Sequence, residues 1–248
     1  MQNSRKLLVF IFVLTGAIIF NSCDKQEIPK DDFVAKTSVK EYLNILNAFS
    51  LATVEEITSG DDENLKSAET WDCLTVTVHP NGTSSFWPRS WTLDYGTENC
   101  GCYFGIERRG KIHVTLSDWW RNEGSYREIT FEDYYFNDNK LVGLKTFLNT
   151  GLNESGNITF TKTVSDAQIT YGDTATMSWN SEKYSELIEG GETFKFADDV
   201  WSVTGGGTGV NIDGKEYTFT INSALIYHND CYFPVSGEII FEISGQEN

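Results

Sequence analysis

Acidic side chains clustered beside aromatic ones are the one arrangement in this sequence that fits a catalytic mechanism. They lie within residues 118–135 and comprise Asp118, Glu123, Glu128, Glu132 and Asp133, close to Trp119, Trp120, Tyr126, Tyr134 and Tyr135. A glycoside hydrolase needs two carboxyl groups facing each other across the scissile bond, beside rings that hold the sugar. A chain with 36 acidic residues produces such clusters by chance. We therefore predict no catalytic residue and keep a glycoside hydrolase as the lesser alternative.

Other catalytic motifs are missing from the sequence. There is no G-x-S-x-G motif of a hydrolase nucleophile and no HExxH motif of a zinc peptidase. The histidines are far apart, and each is predicted to be a surface imidazole rather than a ligand or a base: His79, His113 and His228. The run 205–209 lacks the lysine and helix of a phosphate loop and is predicted to be a flexible loop. Acidic turns at 137–139 and 198–199 lack the spacing of a calcium loop, so we expect no metal and no cofactor.

Two aromatic segments fit a binding function better than a catalytic one. Trp119 and Trp120 follow a predicted strand at a hairpin tip, where two consecutive tryptophans cannot both point into one core. Trp87 and Trp91 belong to a second aromatic loop. Exposed rings of this kind anchor sugars or protein partners. The competing interpretation is that these tryptophans cap the ends of the core.

The first 22 residues have the pattern of a signal peptide. A basic pair, Arg5 and Lys6, precedes an apolar run at 7–20 that is shorter than the roughly 20 residues a membrane-spanning helix needs. The following Phe20-Asn21-Ser22-Cys23 resembles the lipobox of bacterial lipoproteins, in the relaxed form common in Bacteroidota. The resemblance implies cleavage before Cys23, thioether lipidation of its sulfur and acylation, for example with palmitate, of its new amino group.

The lipobox resemblance also implies where the protein is found. Two or three acyl chains give lasting attachment to a membrane. The cluster Asp24-Lys25-Gln26-Glu27 is similar to the surface-export signal of Bacteroidota lipoproteins. We expect a lipid-anchored protein of the outer membrane, on its periplasmic face or at the cell surface, with residues 23–37 as the lipidated linker.

Four cysteines remain for disulfides once Cys23 is assigned to lipid: Cys73, Cys100, Cys102 and Cys231. A bond between Cys100 and Cys102 is disfavoured, because side chains two residues apart on a strand lie near the upper limit of bridging distance. The other two pairings both join this region to Cys73 and to Cys231, and the sequence does not choose between them. Reduced, buried thiols are a further alternative. A CxC metal site is another, although no neighbouring His or further Cys supports it.

Residues 38–58 are predicted to form an amphipathic helix. Apolar residues recur there at a spacing of three and four, and Ser38 with Glu41 fits a capping box. Residues 59–70 follow as an acidic linker, because they offer almost nothing to bury.

From residue 71 to residue 248 the apolar period is two, as in the series Ile112, Val114 and Leu116. Turn residues separate the alternating runs at intervals of about 10 to 16 residues, with no helical pattern between them. The spacing excludes βαβ units and predicts an all-β domain, as an antiparallel β-sandwich or, alternatively, one long twisted meander. Asp173-Thr174-Ala175 resembles the O-glycosylation motif of Bacteroidota proteins, which implies a sugar on Thr174.

Charge and resemblance together define the expected function. A formal net charge of −17 argues against nucleic-acid binding. The run Gly110–Thr115 and the late Cys231 before a Ser-Gly-Glu-Ile strand resemble β-rich Bacteroidota lipoproteins of unknown function, which imply no activity. We expect an envelope lipoprotein with a non-enzymatic binding or structural role and a glycan or protein ligand. The alternative is a surface carbohydrate-binding component of a polysaccharide-uptake system.

Overall fold

The computed structural model describes the chain in seven stretches: residues 73–79, 87–101, 107–172, 175–193, 195–229, 231 and 234–245. They contain eleven strands: β1 Thr75–His79, β2 Arg89–Asp94, β3 Cys100–Gly101, β4 Glu107–Leu116, β5 Tyr126–Phe136, β6 Asn139–Leu152, β7 Ile158–Tyr171, β8 Ala175–Glu189, β9 Val200–Val210, β10 Glu216–His228 and β11 Ser236–Ile243. No α-helix occurs in these stretches, and Phe196–Asp198 is one 3-10 turn. The predicted signal peptide, helix and linkers lie outside the described residues.

The strands form one antiparallel sheet of eleven, in which nearly every strand pairs with the next along the chain. The order is β1-β2-β4-β5-β6-β7-β8-β9-β10-β11, and β3 pairs with the beginning of β4. The predicted all-β antiparallel body is confirmed, but in the form of the meander. The described strands do not divide into the two sheets of a sandwich, because turns between successive long strands pair each strand with its successor.

Bulges cross the middle of the sheet and bend it. The pairing register shifts between Val142 and Leu144 on β6, and between Val164 and Ala167 on β7. Gly143 has a φ of 132° at this line, and a Cβ there would lie 2.7 Å from the Cα of Ala167. Because bulges kink a strand and increase its twist, the sheet curves along this line.

The core lies on one face of the sheet, which we call the inner face and define by the cross-strand row Trp91, Val114 and Ile129. These side chains are 1%, 0% and 0% exposed. The predicted alternation of Ile112, Val114 and Leu116 is confirmed, since all three are buried. These side chains belong to one continuous core cluster, so the inner face is the covered face of the sheet.

The glycine run 205–209 is not the loop predicted from sequence but part of β9. A Cβ on Gly207 would lie 2.6 Å from the ring of Phe219, and a Cβ on Gly209 would lie 2.6 Å from the ring of Tyr217. Two aromatic rings of β10 therefore cover the bare backbone of β9. Aromatic side chains opposite glycine are a known way to stabilise such strands.

A disulfide ties the first strands together. Cys73 and Cys100 are bonded, with their Cα atoms 5.7 Å apart, so the residue two before β1 is joined to β3. This excludes a reduced thiol or a metal ligand at either position. Cys231 is also disulfide-bonded, and Cys102 lies outside the described residues.

Candidate ligand-binding face

The tip of the β4–β5 hairpin carries the two consecutive tryptophans. Arg121, the next residue, donates one hydrogen bond to the carbonyl of Gly191 and one to that of Thr193, each at 2.7 Å. Its guanidinium carbon lies 4.7 Å from the centre of the Trp120 ring. A planar guanidinium with two parallel donors fixes both the position and the orientation of the groups that it joins. Arg121 therefore holds the hairpin tip against the β8–β9 connection.

Four rings continue from this tip onto the inner face, and we call Trp119, Trp120, Phe160 and Trp201 the aromatic ladder. Trp119 and Trp120 have ring centres 6.2 Å apart, and Trp120 stacks on Phe160 at 6.0 Å with 27° between the planes. Phe160 contacts Trp201 at 5.7 Å. Trp119 is 37% exposed, whereas Phe160 is 8% exposed. The aromatic ladder therefore packs the end of the sheet, and its outer ring faces solvent.

Basic side chains occupy the inner face beside the aromatic ladder. Arg127, Phe147, Lys162 and Lys183 are successive cross-strand partners on β5, β6, β7 and β8. Lys145 lies one inner-face position from Phe147 on β6 and is only 7% exposed. We call Arg127, Lys145, Lys162 and Lys183 the cation row. In the described part of β5–β8, no Asp or Glu occupies a position on this face.

Aromatic rings hold the cation row in place. The Phe147 ring centre lies 4.1 Å from the guanidinium carbon of Arg127 and 4.8 Å from the Nζ of Lys145. The Nζ of Lys162 lies 5.5 Å from Phe147 and 5.4 Å from Trp201. Cations above rings at such distances are attracted by the negative ring faces. Lys162 lies beside both Phe147, its cross-strand partner, and Trp201 of the aromatic ladder, so the aromatic ladder and the cation row form one surface.

Lys162 and Lys183 are direct cross-strand partners on the same face. The ammonium group of Lys183 also lies beside a ring, 5.6 Å from the centre of Phe219.

The predicted site residues are spread over different environments. Trp91 is 1% exposed in the core, so its ring does not lie at the surface. Trp87 is half-buried, with the guanidinium carbon of Arg89 6.0 Å from its ring. Cys23, Cys102 and Thr174 lie outside the described residues. The cation row was not predicted from the sequence. Lys162 alternates with Phe160 and Val164 on the same strand, and residues two apart share a face, so the sequence did indicate an inward position.

Three of the five clustered acidic residues, Asp118, Glu132 and Asp133, each have a different partner. Asp118 accepts hydrogen bonds from the amide of Asn122 and the backbone N–H of Trp119, which lower its pKa. Glu132 pairs with His113 at 2.8 Å, and Asp133 pairs with Lys140 at 3.1 Å. Each of these three carboxylates is therefore held by its own partner.

Two of the three histidines meet, which their separation in sequence concealed. The Oγ1 of Thr92 lies 2.8 Å from the Nε2 of His79 and 3.0 Å from the Nδ1 of His113. With Glu132 on the other nitrogen of His113, the order matches an acid, base and hydroxyl triad. However, β2 is paired with a strand on both sides. The backbone N–H groups beside Thr92 are therefore used in strand pairing and do not form an oxyanion hole. We interpret these residues as a surface hydrogen-bond row.

The acidic turn at 198–199 contains one buried carboxyl. Asp199 is 3% exposed, and burial raises its pKa to about 6 despite the opposing charge of Arg121. Its Oδ2 accepts a 3.4 Å hydrogen bond from the amide of Asn229. Asp198 instead accepts from the hydroxyl of Thr193 at 2.9 Å. Across the described stretches, no group of three His, Cys, Asp or Glu side chains could hold a metal ion.

Comparison with protein-family models, curated proteins and solved structures found no match to this chain. Within the described stretches, no helix has both the length and the apolar character needed to cross a bilayer.

Proposed function

We propose that the chain is a non-enzymatic envelope lipoprotein whose β body binds a carbohydrate through the aromatic ladder. The observation that carries this proposal is the exposed Trp119 ring, 37% accessible at a hairpin tip and backed by Trp120. Aromatic rings that keep one face in water provide stacking platforms for the apolar faces of sugar rings.

Rigidity supports a binding function for the aromatic ladder. Trp120 is stacked on Phe160, and its carbonyl accepts a 2.8 Å hydrogen bond from the Asn149 amide. Arg121 anchors the same tip by two hydrogen bonds to another connection. A platform fixed before the ligand arrives loses little conformational entropy on binding. The separate engagement of the hairpin acids favours binding without hydrolysis.

Attachment through a lipid at Cys23 completes the proposal. The signal-peptide pattern and the lipobox resemblance support an outer-membrane location, on the periplasmic face or at the cell surface. Radiolabelled palmitate should be incorporated into the protein in cells and lost in Cys23→Ala. Equal labelling of both proteins would contradict the anchor without bearing on the sugar site.

The binding proposal is tested with the detergent-extracted protein on an array of neutral and acidic glycans, followed by calorimetry on the best glycan. We expect binding without turnover and a loss of about tenfold or more in affinity for Trp119→Ala. Tyr184→Ala is the matched control, because Tyr184 is 39% exposed on the opposite, outer face. No glycan bound, or equal losses in the two variants, would refute the proposal. Product formation would identify a hydrolase.

A further inference from the structure

We infer that the outer face of the sheet, opposite the inner face with its aromatic ladder, binds a basic amphipathic helix of a partner protein. The contact surface is the cross-strand row Tyr126, Leu148, Thr161 and Tyr184 on β5 to β8, which we call the outer row. This is a second surface, and it does not depend on carbohydrate binding. The inference follows from the register of exposed apolar groups, from the acids along one border and from the charge of the rest of the chain.

Three of the four side chains in the outer row combine large apolar groups with exposure to solvent. Tyr126 is 40% exposed, and Leu148 and Tyr184 are each 39% exposed. Tyr126 pairs directly with Leu148, and Thr161 lies between Leu148 and Tyr184. Single apolar residues are normal on a protein surface, whereas a contiguous group marks a contact site. Tyrosine is also enriched among the residues that contribute most of the binding energy of interfaces.

Acidic side chains border the outer row on one side. Glu128, Thr146, Thr163 and Glu182 form a parallel cross-strand row on the same face, two residues or about 7 Å along the strands. Glu128 is half-buried and Glu182 is exposed. A partner that covers the apolar groups brings its own polar border to these two carboxylates. Lys or Arg at that border gains charge-assisted hydrogen bonds, whereas Asp or Glu there is repelled.

The dimensions of the outer row suit a helix that lies across the strands. Neighbouring strands are about 4.8 Å apart, so the row from β5 to β8 extends over about 14 Å. About nine residues of a helix rise by the same distance and present apolar side chains at intervals of three and four. Basic side chains beside that apolar stripe reach the acidic border. One helix therefore matches the apolar row and the acids together.

Charge distinguishes a basic partner from the other possible occupants. A second copy brings a net charge of −17 to an acid-bordered surface, which repels it. The predicted helix at 38–58 contains one Lys against three Glu, so this segment of the chain is acidic as well. Anionic lipid head groups attract basic protein surfaces and are repelled by acidic ones. A basic protein segment is the occupant whose charge is opposite to that of the surface.

The test uses two synthetic peptides of about 14 residues, which rise about 21 Å as helices. Both have the same amphipathic pattern, one built from leucine and lysine and the other from leucine and glutamate. Calorimetry on the detergent-extracted protein, at constant detergent, should show the lysine peptide binding at least tenfold more tightly, with affinity falling as salt is raised. Leu148→Ser and Tyr184→Ser should each weaken the lysine peptide about tenfold, and Glu182→Gln about threefold.

Ile240→Ser is the matched control for the apolar variants. Ile240 is also 39% exposed and lies between Glu238 and Glu242 along β11, but its cross-strand partner on β10 is Thr220. A peptide attracted only by the acidity of the chain would respond to this change as it does to Leu148→Ser. Glu242→Gln is the control for Glu182→Gln. Both controls should bind the lysine peptide within about twofold of wild type.

Several results would overturn the inference. Equal losses in Leu148→Ser and Ile240→Ser would reduce the binding to overall charge. Tighter binding of the glutamate peptide, or of a synthetic peptide of residues 38–58, would assign the surface to another occupant. So would a dimer in sedimentation equilibrium, or adsorption to phosphatidylglycerol vesicles, that Leu148→Ser abolishes. If a Ser variant fails to fold, Glu128→Lys combined with Glu182→Lys keeps the apolar groups and should reverse the preference between the two peptides; an unchanged preference would overturn the inference.

Discussion

Arg121 provides the sharpest test of how the hairpin tip is held. Its two hydrogen bonds to the carbonyls of Gly191 and Thr193, at 2.7 Å each, connect segments 70 and 72 residues apart in sequence. Hydrogen bonds from charged donors contribute about 1.5 to 3 kcal/mol each. Because Arg121 is half-buried, we take the lower figure for both, which gives about 3 kcal/mol.

Arg121→Ala should lower the free energy of unfolding by about 3 kcal/mol, or the melting temperature by roughly 6 to 12 °C for a domain of this size. Urea unfolding followed by circular dichroism measures the first quantity, and calorimetry measures the second. Arg121→Lys should lose about half as much, since one ammonium does not reproduce the two parallel donors of a guanidinium. Tryptophan emission should shift to longer wavelength as Trp119 and Trp120 gain access to water.

The matched control is Lys140→Met, because Lys140 pairs with Asp133 at 3.1 Å on the exposed surface. Such pairs contribute about 0 to 1 kcal/mol. If Arg121→Ala unfolds within about 0.5 kcal/mol of wild type, as the control should, the two bonds do not hold the tip. The aromatic ladder would then lack the rigidity on which the proposed function depends.

Three further changes probe the rest of the body. The pKa of Asp199 is about 6 in the folded protein, against an ordinary value of 3.8. Its favourable contribution to the free energy of unfolding is therefore present below pH 3.8 and lost as the pH rises through 6. Asp199→Asn should stabilise the protein by about 1 to 2 kcal/mol at about pH 8, after allowance for screening by water. Urea unfolding of wild type and Asp199→Asn across this range measures it, and equal stability of the two at about pH 8 would contradict the prediction. Replacing Cys73 and Cys100 by Ser opens a loop with a sequence separation of 27 and should cost about 3 to 4 kcal/mol in urea unfolding; an unchanged midpoint would contradict the bond. Gly209→Ala places a Cβ 2.1 Å from the carbonyl of Ser178 and should cost more than about 2 kcal/mol, whereas Gly101→Ala, with nothing within 4 Å, should be near neutral by differential scanning calorimetry.

The strands with regular alternation were predictable from sequence. Ile112, Val114 and Leu116 point inward as their period indicates, because one face of β4 is covered and the other is not. The connections were also readable, since 137–138 and 213–214 form turns where Asn, Asp and Gly allow a left-handed backbone. These features depend on residues close together in the chain, so they can be predicted from the sequence.

Other parts of the fold depend on partners distant in the chain. Gly207 reads as a loop residue because glycine has little tendency to form strands, and its strand is stabilised by the Phe219 ring of the next one. His79 and His113 meet on Thr92 only because of the pairing register. Nor does alternation distinguish one curved sheet from two packed sheets, since both give each strand an inner and an outer face.

The cation row shows why the candidate site was predicted only in part. Two consecutive tryptophans at a predicted hairpin tip are unusual, so the sequence indicates a surface aromatic site there. Lysine on a strand is normally an outward residue, so the sequence does not single out Lys162 and Lys183. Their alternation with apolar residues along each strand indicates an inward position. Only the pairing register of β7 with β8 shows that they are direct cross-strand partners.

Tryptophan footprinting tests the proposed carbohydrate binding most directly. The protein is oxidised with a tryptophan-selective reagent with and without the glycan that binds best on the array, and oxidation of each tryptophan is measured by mass spectrometry. We expect the glycan to protect Trp119, which is 37% exposed at the hairpin tip, while the half-buried Trp87 reacts equally in both samples. Unchanged oxidation of Trp119 at saturating glycan, or protection confined to Trp87, would contradict the proposal.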